Sequence, residues 1–196
     1  VSSLRPERGN WLPMAPESHQ LLVRQTFHDR SRETPAQLHL ERLDAPGAPP
    51  PLDPARFAES LLAAANYTEN TARLFCDWAA RFKEQHFNRL PLGDQAIYQA
   101  AGGDPNILYY HGYWELAEDE ALVIDARLPP CEFWNFQVDN YWMESLDYRF
   151  QRIHVNSHSA RCDADGRVTL VVAHRDPGHP NWLGTAGHRL GTSLFR

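Results

Sequence analysis

The apolar pattern of this chain changes from helical to strand-like near residue 105, and that change decides what most of it can build. Upstream, Phe57, Leu61, Thr68, Ala72, Phe75, Ala79 and Phe82 recur at spacings of three, four or seven, which is one side of a 3.6-residue helix. From Ile107 onward the periodic block gives way to short strand-like segments separated by turn-forming clusters. One helical block followed by a run of strands predicts an α+β fold: an antiparallel β-sandwich, jelly-roll-like, with a helical segment of about 53–101 packed on it.

The boundaries are read from turn and cap chemistry. Asp53 followed by Pro54 is a helix start, an N-cap side chain and then the one helical position where the fixed proline φ helps. The helix should run to about Gln85, widened on its apolar side by Leu62, Leu74 and Trp78, with Asn66 to Asn70 marking a candidate break. A second helix, Asp94 to Ala101, should end at Gly102-Gly103, which adopt a left-handed cap at little cost. Strands are expected at Ile107–Leu116, Ala121–Leu128, Glu132–Val138, Tyr148–Val155, Val168–His174 and Gly191–Arg196, and two more near the N-terminus at 20–27 and 37–43. The proline-rich run 45–51 cannot continue a strand ladder and reads as a linker. A single domain spanning 1–196 is expected, made of an N-terminal strand stretch (1–44), a linker and helices (45–104) and the sandwich (105–196).

A tripeptide recurs. Asn10-Trp11-Leu12 returns as Asn181-Trp182-Leu183, Ala15 and Ala186 share an offset, and Leu22-Val23-Arg24 is echoed by Leu194-Phe195-Arg196. The copies are too far apart for a solenoid, so internal duplication is the better reading, with 20–27 and 37–43 standing where Gly191–Arg196 stands in the other copy. Asn10, Trp11, Asn181 and Trp182 are then structural: an Asx side chain bonding its own backbone, and a tryptophan plugging a sandwich end.

Composition narrows the class. With 196 residues, 42% hydrophobic and 22% charged, the chain can fill one core unaided. Its formal charge of −6, without a basic stripe, argues against nucleic acid as a partner. Cys76, Cys131 and Cys162 are odd in number and lack C-x-x-C spacing, which suggests neither disulfides nor structural zinc. No span reaches membrane-crossing length and the N-terminus has no signal-peptide core, so a soluble, cytoplasmic protein is expected, with a homo-oligomer left open.

Chemistry is sparse. No nucleophile elbow, P-loop or dinucleotide fingerprint occurs, and ten histidines show no H-x-H or H-E-x-x-H spacing, so no metal and no cofactor is expected. By alternation Tyr109, His111 and Tyr113 share one strand face, and Asn135 and Gln137 share one with Phe133 and Asp139, opposite Glu132, Trp134, Phe136 and Val138. These, with Arg149 and the loop-entry pair His174 and Arg175, are the candidate ligand contacts. Ordinary burial of the tyrosines and ordinary charged faces are the competing readings. Asp125, Glu132, Asp139, Glu144 and Asp147 offer carboxylates for acid–base chemistry, whose pairing the sequence does not place.

The turn and strand Ala164-Asp165-Gly166-Arg167-Val168-Thr169-Leu170, the run Pro180-Asn181-Trp182-Leu183 and the segment Glu132-Phe133-Trp134-Asn135-Phe136 together resemble the domain of unknown function 1214, over about residues 105–196. That family often accompanies domain of unknown function 1254. The resemblance implies a jelly-roll-like β-sandwich and carries no catalytic residues with it. Three functions follow as expectations: a sandwich binding a small or carbohydrate-like ligand, a metal-independent enzyme in the same pocket using His111, Glu132, His174 or Arg175, and a structural or assembly domain.

Overall fold

The computed structural model describes every residue except His19, 42–47 and Pro49. The chain forms two compact units, Val1–Leu40 and Glu41–Arg196. In the first, residues 20–40 contain no strand, so the strands expected at 20–27 and 37–43 are absent as far as Glu41, with 42 and 43 outside the described residues. The unit is held instead by local bonds, such as Trp11 Nε1 donating to the Ser2 carbonyl (3.1 Å) and the Ala36 N–H donating to Gln25 Oε1 (2.6 Å). Residues 20–40 have no ladder partner and are almost wholly exposed, and alternation alone does not hold a strand without a neighbour or a covering layer. The Asn-Trp-Leu echo therefore does not extend to shape: Leu194 and Phe195 lie on a strand, whereas Leu22 and Val23 do not.

The second unit opens with α1 (Pro54–Gln85), capped by the Asp53 carboxylate, which accepts from the Ala55 and Arg56 N–H groups. The helix is continuous through Asn66 to Asn70. Helix α2 (Gln95–Ala100) follows, capped by Asp94 and closed by Gly102 at φ +88°, the left-handed conformation that costs glycine least. The strands are β1 (Tyr110–Glu115), β2 (Ala121–Arg127), β3 (Asn135–Asp139), β4 (His154–Asn156), β5 (Arg167–Ala173), β6 (Trp182–Gly184) and β7 (Leu190–Phe195). Tyr148–Val155 contributes only its last residues as strand, because 147–150 turns on Asp147. The second Asn-Trp-Leu itself supplies β6, which pairs parallel to β5; the sheets are thus not wholly antiparallel.

Two sheets result, with orders β1-β7-β3-β4 and β2-β5-β6. Their facing sides share one core: Trp114, Phe136, Val138, Val155, Val168, Leu170, Val172 and Leu183 are all fully buried. Glycine 191 is required by packing, since a Cβ there would lie 2.1 Å from the Asp139 carbonyl oxygen and against the Trp114 ring. The free edge of β1 is covered by residues 86–93. Asn88 N–H donates to the Tyr113 carbonyl (2.7 Å), its amide exchanges two bonds with the Glu115 backbone, and Gly93 N–H donates to the Tyr109 carbonyl (2.9 Å). This strap satisfies an edge that would otherwise invite pairing with another chain. Among the described residues no helix is long and apolar enough to cross a membrane.

The helix-on-sheet packing is confined to one end of α1. Ala79 and Phe82 are buried against β1, but Phe57, Leu61, Leu62, Leu74 and Phe75 of the expected apolar stripe are exposed. The Asp53 cap starts the helix and it runs unbroken to Gln85, while burial is confined to the end beside β1 and α2.

Candidate functional site

The face of the four-stranded sheet turned away from the core collects most of the polar residues singled out by alternation. Core positions on β1, β7 and β3 are Trp114, Phe195, Phe136 and Val138. Their odd-numbered or flanking neighbours therefore lie on the opposite side: His111 and Tyr113 on β1, Thr192 and Leu194 on β7, Asn135, Gln137 and Asp139 on β3, and His154 on β4. Register sets them in rows. His111, Leu194, Gln137 and His154 are successive cross-strand partners, as are Tyr113, Thr192 and Asp139. Adjacent members of a row stand about 5 Å apart, within side-chain reach.

The β1 end of this face is filled by protein. His111 stacks on Phe82 (centroids 4.9 Å, 10° between planes) and sits among Trp78, Tyr98 and Tyr109. Its Nδ1 is hydrogen-bonded to the Tyr98 hydroxyl at 3.0 Å. Burial pushes its pKa down to about 4, with the nearby His86 lowering it further, so the ring is neutral at pH 7. His86 Nδ1 donates to the His111 carbonyl (2.9 Å), which ties the end of α1 to β1. Tyr113 is buried too; its hydroxyl donates to Glu115 Oε2 (2.8 Å) and its ring meets Phe87, Tyr141 and the Lys83 ammonium. Burial, then the Glu115 bond, raises its pKa. Tyr109, His111 and Tyr113 share a face as alternation requires, and that face is the helix–sheet seam.

The β3 end differs. Asp139 is only 5% exposed, and desolvation lifts its carboxyl to about 6 against the lowering effect of the hydrogen bond from the Gln137 amide. Gln137 is half-buried and lies opposite the exposed His154. Beyond Asp139 the chain makes a tight turn held by Asn140, whose Oδ1 accepts from the Trp142 and Glu144 N–H groups (2.9 and 3.0 Å) and whose carbonyl accepts from the Thr192 N–H and hydroxyl. Met143 takes φ +63° within it. The turn places Trp142, half exposed at 52% and edge-on to Tyr141, three residues from the buried carboxyl. A titratable acid with an adjoining amide, and an exposed aromatic on the turn that follows them in the chain, are group types that hold a small polar molecule by directed hydrogen bonds and stacking.

The remaining sequence candidates are dispersed. Asn135 is buried on the same face, where its Oδ1 accepts from Arg196 Nε (3.1 Å). Arg149 is in an exposed ion pair with Asp147, 2.9 Å apart. His174 stands at the end of β5 in the other sheet, bonded through Nδ1 to the Thr185 hydroxyl (2.8 Å) and donating from Nε2 to the Leu116 carbonyl (3.2 Å), with Arg175 exposed beside it. Asn181 bridges three backbone groups rather than its own: Oδ1 accepts from Arg161 N–H (2.7 Å), and Nδ2 donates to the Arg161 and Thr169 carbonyls. Trp182 Nε1 donates to the Ala173 carbonyl (3.0 Å), whereas Asn10 is exposed and Trp11 bonds within the first unit. Among the described residues no three His, Cys, Asp or Glu side chains converge as a metal site would require. Asp139 and Trp142 both belong to the aromatic and amide-rich stretch 131–149, but neither was among the candidate ligand contacts. The available signal was Asp139 sharing the Gln137 face; its burial has no signature in the linear pattern.

Residues 115–196 match the family described as "Protein of unknown function (DUF1214)", which takes in the β3 end of the face but not α1. A crystal structure of an uncharacterised protein from Burkholderia cenocepacia is 57% identical and superposes with a TM-score of 0.90 over 100% of this chain. The chain spans only 54% of that protein's length. The VPA0106 protein from Vibrio parahaemolyticus is 16% identical over 52% of this chain and 29% of its own, with a TM-score of 0.39. No curated protein matches.

Proposed function

We propose that this chain, whose residues 115–196 fall in a family of unknown function, binds a small polar or carbohydrate-like ligand at the β3 end of the outer sheet face. The observation that carries the reading is the buried Asp139 carboxyl, raised to about 6, next to the Gln137 amide and the rigid turn bearing Trp142. A carboxyl with its midpoint near pH 6 is mainly an acceptor at neutral pH and a donor under mild acid, and either role suits hydroxyl-rich ligands. The exposed indole offers the apolar face on which a sugar ring stacks. His154 and Gln137 supply further donors and acceptors at the rim. The β1 end, already filled, orients this face rather than contacting ligand. The three exposed free cysteines support a reducing, cytoplasmic setting.

Ligand-observed NMR with a panel of neutral and acidic monosaccharides and small polyols tests the reading. At least one probe is expected to bind the wild type, with Trp142→Ala and Asp139→Asn each weakening it. Absence of saturation for every probe up to roughly 10 mM, weaker than about −3 kcal/mol, would sink it. The Asp139 carboxyl also favours a second reading, metal-independent acid–base catalysis in the same place, because a pKa near the working pH is what a general acid or base needs. Turnover of a bound probe that disappears in Asp139→Asn while binding persists would select catalysis.

A further inference from the structure

The apolar stripe of α1 is one continuous face put to two uses. At its C-terminal end Trp78, Ala79 and Phe82 lie against β1 and α2, with Trp78 edge-on to Tyr98 and Phe82 stacked on His111. Phe75, Ala72, Thr68, Leu61 and Phe57 continue that face toward the N-terminus at helical spacing. Yet from Pro54 to Asp77 every residue is exposed except the half-buried Thr71. Roughly 35 Å of amphipathic helix thus carries a core-grade face with nothing of this sheet beneath it, including Phe57 at 54% and Leu61 at 63% exposure. Isolated helices in water draw their stability from a covered face, so a row of this length signals a covering layer.

The chemistry of the helix identifies the kind of layer. Its charged residues are Arg56, Arg73, Arg81 and Lys83 against Glu59, Glu69, Asp77 and Glu84, an even balance with no basic polar face. Helices that lie in anionic membrane surfaces are rich in Lys and Arg opposite the apolar side, which disfavours lipid. The Burkholderia protein matches this chain along its entire length, α1 included, yet nearly half of that protein lies outside the match. A similar helix there has a large additional body of protein available to cover it.

We infer that the exposed face of α1, centred on Phe57, Leu61 and Phe75, docks a folded protein partner equivalent to the unmatched part of the Burkholderia protein, as a helix-on-domain interface continuing the β1 seam. The inference is independent of the ligand reading. The test grafts this chain in place of the matched part of the Burkholderia protein and compares the graft with the isolated chain. A Leu61→Cys probe, in a background with Cys76, Cys131 and Cys162 changed to Ser, reports the face by thiol labelling. Labelling is expected to be at least about tenfold slower in the graft than in the isolated chain, as for a site that opens only transiently. In a second arm, Leu61→Asp with Phe57→Asp is expected to lower the melting temperature of the graft and leave that of the isolated chain unchanged. Equal labelling in both proteins would overturn the inference. So would protection of the isolated chain that grows with its own concentration, which assigns the face to a second copy, or protection by anionic phospholipid vesicles, which assigns it to a membrane.

Discussion

At the residue scale, two buried titratable groups on one sheet face pull stability in opposite directions. Asp139 holds its proton more tightly in the folded state, about 6 against 3.8, so its contribution is fully present below pH 3.8 and is lost as pH rises through about 6. His111 holds its proton less tightly when folded, about 4 against 6.5; its contribution is fully present above pH 6.5 and is lost as pH falls through about 4. Each shift is worth about 3 kcal/mol, so between pH 6.5 and 4 the two largely offset. Asp139→Asn removes one side of the balance. Urea titrations of this variant should show greater stability than wild type at pH 7.5 by up to about 3 kcal/mol, and a steeper decline on acidification to pH 4. Parallel curves for the two proteins would mean that Asp139 is not desolvated. The exposed pairs Arg167–Asp125 and Arg149–Asp147 belong to the class of surface ion pairs with little net effect.

At the scale of elements, α1 divides into a packed last quarter and an uncovered remainder. Phe82 is 3% exposed and stacks on both His86 and His111, whereas Phe57 has the same chemistry on the same helical face and is open to solvent. Phe82→Ala in the isolated chain should cost about 3–5 kcal/mol by chemical denaturation, as a large core truncation does. Phe57→Ala should stay within about 0.5 kcal/mol, as a surface change does. Similar losses at both positions would show that the N-terminal part of α1 is covered after all. The β1 edge carries a related lesson. Residues 86–93 look like a mere connection between helices, yet they act as a partial strand, and Gly112 is part of the reason: a Cβ there would lie 2.4 Å from the Arg89 carbonyl oxygen.

At the scale of the whole molecule, the shared core is built from residues 90–195, all in the second unit. Removal of residues 1–40 should therefore leave a protein that unfolds in one cooperative transition by calorimetry, with near-ultraviolet dichroism retained. A fragment lacking a transition would place part of the core's support in Val1–Leu40. The sequence by itself determined the α+β class, the start and end of α1, both α2 caps and the sidedness of β1 and β3. Those depend on local chemistry: an Asp-Pro start, a Gly-Gly stop, periods of 3.6 and 2. It also placed Tyr109, His111, Tyr113, Asn135 and Gln137 on common faces. Tertiary structure alone decided which face was which. Strand order β1-β7-β3-β4 joined residues far apart in sequence, the end of α1 filled the His111 side, and Thr192 of β7 tied down the Asn140 turn next to Asp139. The same non-local terms removed the expected strands at 20–27 and separated His174 and Arg175 from the site. Pairing partners and desolvation are properties of what lies across a strand or above a face, and a linear pattern carries no record of either.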